Sequence, residues 1–141
     1  MNNSSIEINR TISAPVQRVW EALTDPEKMK LWYFDVHEFK PETGNKFYFY
    51  EPGSNKYLHQ CEIMDFIPKR CISYTWSYPE YTNRNSLVSW NLEPLGEETK
   101  LSFSHIDVQN LKDDSEVFSR ENFEKGWDEI INKNLVDFVS S

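Results

Sequence analysis

Glycine is scarce in this chain, four residues in 141, where average usage gives about ten. That shortage nearly excludes the glycine-rich loops that cradle phosphates. Positive charge is the second deficit. Fifteen Lys and Arg stand against 23 Asp and Glu, for a formal net charge of −8. Such a chain offers no cationic footprint to a phosphate backbone or an anionic lipid, so nucleic-acid binding is not expected. No apolar run approaches the roughly 18 residues of a membrane span. Met1-Asn2-Asn3-Ser4-Ser5 also lacks the basic region and apolar stretch of a secretory signal. The expected setting is the cytoplasm.

Cysteine is limited to Cys61 and Cys71. Both are expected on the arms of one hairpin, strands 58–67 and 70–76, joined by a tight turn at Pro68-Lys69. That pairing sets Cys61 opposite Trp76 and Cys71 opposite Phe66. The thiols are then offset by about five residues, roughly 16 Å, too far for a disulfide. With no C-x-x-C in the chain, zinc and redox motifs have no support.

Aromatic residues, by contrast, are abundant: nine Phe, seven Tyr and five Trp. They can fill a sizeable core or line a cavity without metals or disulfides. The length fits one domain, 1–141, with the polar first five residues expected to fray. Residues 6–12 alternate apolar and polar and predict a strand. Val16, Val19, Trp20 and Leu23 then fall at i, i+3, i+4 and i+7, one helix stripe with Pro15 in its first turn. Asp25-Pro26 reads as an N-cap acid followed by proline, opening a short helix with Met29, Trp32 and Tyr33 on one side. Further strands are expected at 35–41, 46–51, in the cysteine hairpin, and at 85–93 and 99–106. The total is about seven, joined by short turns as in an antiparallel meander. From Phe123 the period changes again. Phe123, Trp127, Ile130, Ile131, Leu135, Phe138 and Val139 form one apolar face of a long helix, with Asp114, or Ser115 with Glu116, to cap its start and Asn122, Glu124 and Asp128 on its solvated side. Gly126 beside Trp127 suggests a close approach of helix to sheet. The expected fold is α+β: a seven-stranded curved antiparallel sheet with two short helices, gripping a long C-terminal helix.

Several segments carry a resemblance. Ile12-Ser13-Ala14-Pro15-Val16-Gln17-Arg18-Val19-Trp20-Glu21-Ala22-Leu23-Thr24-Asp25-Pro26 resembles the opening of the START-like, helix-grip (SRPBCC) superfamily. Trp32-Tyr33, Phe39-Lys40-Pro41-Glu42-Thr43-Gly44 leading into Phe47-Tyr48-Phe49, Tyr74-Thr75-Trp76, Val88-Ser89-Trp90 and Gly126-Trp127 resemble one branch of it. That branch is related to the C-terminal domain of the activator of the ninety-kilodalton heat-shock protein's ATPase. The resemblance implies a helix-grip fold, a possible heat-shock protein partner and a stress-response setting. Tyr57-Leu58-His59-Gln60-Cys61 replaces the glycine-rich stretch that commoner bacterial members carry there.

Candidate chemistry is sparse. His37, His59 and His105 are far apart in sequence. His59 and His105 are both candidates to point inward as polar pocket residues. No third inward ligand accompanies them, so no metal site and no cofactor are expected. There is no G-x-S-x-G elbow, and Glu38, Glu51 and Glu62 read as solvated. No feature demands catalysis. The informative set is aromatic: Trp32, Phe47, Tyr74, Trp76, Trp90, Phe103 and Trp127 are expected to line a cavity between the final helix and the sheet. Non-catalytic binding of a small hydrophobic or amphipathic ligand is the leading reading. A protein-partner module comes second, and a cyclase- or hydrolase-type enzyme third.

Overall fold

The computed structural model describes residues 5–50, 58–80, 85–107 and 120–140; the expected helix cap at Asp114 to Glu116, Glu51 and the side chain of Asn122 lie outside them. Strand β1 (Ile6–Ile12) leads into two short helices, α1 (Val16–Thr24) and α2 (Pro26–Trp32). Strands β2 (Lys46–Tyr50), β3 (Leu58–Ile67), β4 (Cys71–Ser77), β5 (Asn85–Leu95) and β6 (Glu98–Ile106) follow. The chain ends in α3 (Arg120–Glu129), a π-helical stretch (Ile130–Leu135) and α4 (Val136–Ser140), one continuous C-terminal helix. The six strands form one antiparallel sheet in the order β1-β6-β5-β4-β3-β2.

Asp25 closes α1 and opens α2. Its carboxylate accepts the Glu27 N–H at 3.0 Å while Pro26 occupies the first helical position, as the Asp-Pro pair predicts. Pro15 stands just before α1, where its carbonyl accepts the first helical N–H groups. Trp32 Nε1 donates to the Ala22 carbonyl at 2.9 Å, binding the second helix to the first.

Among the described residues the sheet has six strands rather than seven. The segment 35–41 touches β2 only through the bridge of His37 to Tyr48. Glu38 then takes a left-handed φ of 63°, and the Asn45 side chain captures both the Lys40 N–H (2.8 Å) and the Glu38 carbonyl (3.0 Å). Those groups would otherwise extend a ladder, and Pro41 has no N–H to offer one. The segment's two apolar side chains, Val36 and Phe39, are both buried although they lie three residues apart, because the left-handed turn at Glu38 breaks the two-residue period of a strand. The following turn needs Gly44, whose φ of 91° is open to glycine and poorly open to other residues.

The cysteine hairpin is present with one refinement. A bulge between Ile63 and Asp65 divides it. Beyond the bulge the expected register holds, as Ile63 opposite Tyr74 and Gln60 opposite Ser77. Nearer the turn it slips by one, so Cys71 faces Ile67 and Phe66 faces Ile72. Both cysteines are free thiols.

On the inner face the side chains alternate as period 2 requires. Phe47 and Phe49, Cys61 and Ile63, Ile72, Tyr74 and Trp76, Val88 and Trp90, and Leu101 and Phe103 are all buried. The C-terminal helix covers this face with Trp127, Ile131, Leu135 and Val139, each 2% exposed or less. These residues are spaced by four. On an ideal α-helix each step of four overshoots a revolution by about 40°, so the stripe would wind off the sheet. The π-helical turns of Ile130–Leu135 are wider, with i→i+5 bonds, and bring the stripe back into phase. The expected close approach at Gly126 is not observed: a Cβ there would meet nothing within 4 Å. Its solvent-facing position in a helix interior leaves only the entropic penalty of glycine. Gly126→Ala is therefore expected to raise stability by about 0.5–1 kcal/mol in denaturant melts; a loss would show that the glycine has a packing role.

Candidate functional site

The seven aromatic residues expected to share a cavity do come together on the inner face. Trp90 is the hub, on a strand inside the sheet. Its ring lies edge-on to Trp32 (6.1 Å), Phe103 (4.7 Å) and Trp127 (5.9 Å). Phe103 lies 4.5 Å and Trp76 5.1 Å from Trp127, and Phe47 lies 5.1 Å from Tyr74. Trp32 reaches this group from α2. Tyr33, Phe34, Phe49 and Tyr78 also join the ring network, although the expected lining set omits them. For two of them the signal was present in period alone: Phe49 is two residues after Phe47, and Tyr78 two after Trp76.

Three polar constellations sit among these rings. The first is centred on His105, 0% exposed. Trp127 Nε1 donates to His105 Nδ1 at 2.9 Å. That bond places the imidazole proton on Nε2, which donates to Ser86 Oγ at 2.7 Å; the Ser86 hydroxyl in turn donates to the Trp76 carbonyl at 3.1 Å. The chain is complete, with no lone pair on the ring left to take a proton. Burial lowers the His105 pKa from 6.5 to about 3, because a charged imidazole would be desolvated and would set a second N–H against the indole. This histidine is a neutral strut, not a general base.

The second constellation is a phenol pair. The Tyr33 and Tyr74 hydroxyls lie 2.7 Å apart, and Trp90 Nε1 donates to the Tyr74 oxygen at 2.9 Å. Burial pushes both phenols above their ordinary pKa, so both keep their protons. The third surrounds His59. Its ring stacks on Phe49 (4.4 Å), which stacks on Phe34 (4.3 Å), while Trp76 meets the imidazole edge-on. Tyr78 lies 4.6 Å from the same ring and accepts the Trp76 indole N–H at 3.1 Å. His59 and His105 are thus both buried, as expected, and Trp76 stands between them.

The remaining candidates stay apart. His37 stacks on Tyr48 at 5.1 Å, away from the other two histidines. Glu38 is exposed, and Glu62 is half-buried opposite Lys46. Among the described residues no group of three His, Cys, Asp or Glu could hold a metal ion. No helix of the described chain is long and apolar enough to cross a membrane. A separate groove of about 450 Å³ opens between α2 and the C-terminal helix, bounded by Leu31, Trp32, Tyr33, Asn134, Asp137 and Phe138 with Lys30.

A curved antiparallel sheet wrapped on one long helix, with aromatic rings and buried hydroxyls between them, defines a helix-grip domain of the START-like kind. The chain belongs to the family described as Activator of Hsp90 ATPase homolog 1-like protein, which matches residues 13–140. No curated protein is matched. Among solved structures, protein CV1439 from Chromobacterium violaceum is similar at 23% identity and a TM-score of 0.80, over 98% of both chains. The Aha1 dimer from Colwellia psychrerythraea is similar at 18% identity and a TM-score of 0.72, over 96% of this chain and 95% of that one. DynU16, from the dynemicin biosynthetic locus, is similar at 21% identity and a TM-score of 0.80; the alignment covers 99% of this chain but about half, 48%, of DynU16. At these identities the likeness extends to the fold.

The His105 chain carries a pH prediction. Between the unfolded pKa near 6.5 and the folded value of about 3, unfolding takes up a proton. Stability contributed by the neutral ring is therefore full above pH 6.5 and falls with acidification, by at most about 1.4 kcal/mol per pH unit. His105→Gln should remove this component. The stability difference between the two proteins, measured by urea melts from pH 7 to pH 5, should shift steadily against the wild type; a difference independent of pH would refute the buried neutral ring.

Proposed function

We propose that the protein binds a small hydrophobic or amphipathic molecule between the C-terminal helix and the sheet, without catalysis. The observation that supports this most is the joint one of rings and polar tips. Trp32, Phe47, Tyr74, Trp76, Trp90, Phe103 and Trp127 converge on one enclosed face, with the Tyr33 and Tyr74 hydroxyls aimed among them. Ligand sites are typically built this way, apolar surface with a few placed polar groups. Catalysis finds less support. His105 is neutral and fully bonded, and the Tyr33 and Tyr74 phenols are protonated donors, so neither of these two constellations supplies a base. The cytoplasmic setting expected from composition belongs to the same proposal.

A protein-partner role is the second reading, and the family description favours it. The exposed large apolar residues give it little surface. Tyr50 and Ile106 lie at one end of the sheet, Ile67 and Leu95 at the other, Met64 within β3 and Leu31 on α2. Among the described residues the exposed apolar side chains are thus spread over both ends of the sheet and a helix, whereas an interface gathers them in one patch.

An uncharged environment-sensitive dye such as Nile red should bind the folded protein with little dependence on salt, because no charge pairing holds it. Trp90→Phe keeps an aromatic at the hub but changes its volume and removes one donor, and it should alter dye affinity while leaving a cooperative melt. Dye uptake that appears only as the protein unfolds would contradict the proposal.

A further inference from the structure

The hydroxyl pair at the centre of the ring network has more hydrogens than acceptors. Tyr74 oxygen accepts the Trp90 indole N–H, and one of the two phenolic hydrogens lies in the 2.7 Å contact between the tyrosines. If Tyr74 donates to Tyr33, the Tyr33 hydrogen is left over. If Tyr33 donates, Tyr74 oxygen accepts twice and the Tyr74 hydrogen is left over. In both arrangements one phenolic hydrogen has no acceptor among the described residues. Tyr74 is 1% and Tyr33 9% exposed, and a buried donor without a partner carries a penalty of a size natural proteins rarely leave unrelieved. The groups around the pair do not relieve it: Cys61, a weak acceptor, and Tyr78, whose oxygen takes the Trp76 indole N–H, stand near the pair without a hydrogen bond to either hydroxyl. Phe47 packs against Tyr74, and Trp32, Phe34, Phe49, Trp90 and Trp127 surround Tyr33. None of these side chains is a hydrogen-bond acceptor of ordinary strength.

Resting on the binding reading above, we infer that the ligand is an uncharged molecule with an aromatic body and a carbonyl oxygen, and that this oxygen takes the spare hydrogen of the Tyr33–Tyr74 pair. The rings around the pair carry no ionised group, so a cation would lack a counter-charge and an anion would be desolvated for the sake of a single neutral donor. A carbonyl matches the single available hydrogen, and the ring edges and faces of Tyr33, Trp90 and Trp127 suit an aromatic body. The Trp90 indole, by donating to Tyr74, polarises the hydroxyls towards the ligand oxygen. Tyr33 also borders the groove between α2 and the C-terminal helix.

Fluorenone and fluorene test this, because they share a flat aromatic body and differ in the carbonyl. Titrations of the full chain, followed by tryptophan fluorescence, should show fluorenone binding about 3- to 10-fold more tightly, the worth of one neutral hydrogen bond. Bound fluorenone should show a carbonyl stretch at lower frequency than in an apolar solvent. In the Tyr33→Phe/Tyr74→Phe double variant the preference should fall to about one and the stretch should return to its apolar position. Retained fluorene binding shows that this variant is folded, and the two single variants assign the hydrogen to its owner. Equal wild-type affinities for the two probes, or a preference that survives the double variant, would overturn this inference and leave the binding reading standing. Failure of both probes to bind the wild type would overturn the two together.

Discussion

The contact on which the architecture turns is Trp127 on His105. The indole belongs to the helix and the imidazole to the sheet, and the 2.9 Å bond between them fixes how the two layers meet. The consequences run in both directions. On the sheet side, an imidazole that must accept at Nδ1 donates at Nε2, which orders Ser86 and, through it, the Trp76 carbonyl. On the helix side, Trp127 begins the four-spaced stripe of Ile131, Leu135 and Val139. Once the indole is anchored, the stripe stays over the sheet only if the helix loosens its winding, and it does so in the π-helical stretch Ile130–Leu135. Such segments recur near functional sites, and here Asn134 of that stretch borders the groove that reaches Tyr33.

Most of the framework was legible because period 2 and period 3.6 leave different marks on a sequence. The two helices around Asp25-Pro26, the cysteine hairpin and the final helix all follow from apolar spacing and cap chemistry. What was not legible depends on side chains acting on the backbone. Nothing in the residues of 35–41 reveals that Asn45, several residues later, will take the Lys40 and Glu38 groups that a seventh strand needs. The bulge at Ile63/Asp65 is likewise invisible to alternation, since one inserted residue is absorbed between two well-patterned halves. The π-helical stretch was the more recoverable of these features. Phe123, Trp127, Ile131, Leu135 and Val139 repeat every four residues, a period that an α-helix cannot hold on one face. Gly126 misled in the other direction: its position next to the central tryptophan implied close packing, but it faces open space.

For the site, sequence parity identified which rings face inward and missed how their polar tips are connected. His59 and His105 were both legible as inward. Their difference in role was not, because it comes from partners distant in the chain: Phe34 and Phe49 stack near His59, whereas Trp127 and Ser86 saturate His105. Tyr33 was the main omission. It follows the last turn of α2, and only the chain's path there brings its hydroxyl to Tyr74. Together these residues form an interior that is apolar in body, uncharged, and polar at a few fixed points.

The claim that this interior receives a ligand is tested most directly by the indole N–H resonances of the five tryptophans, recorded on protein labelled with nitrogen-15 during titration with an apolar aromatic ligand. Trp90 and Trp127 stand in the ring network, while Trp20, on α1, packs against Phe66 of β3, outside it. The account predicts that the Trp90 and Trp127 signals shift in proportion to occupancy and that Trp20 does not move. Saturable binding that shifts Trp20 alone, or leaves all five unchanged, would contradict it.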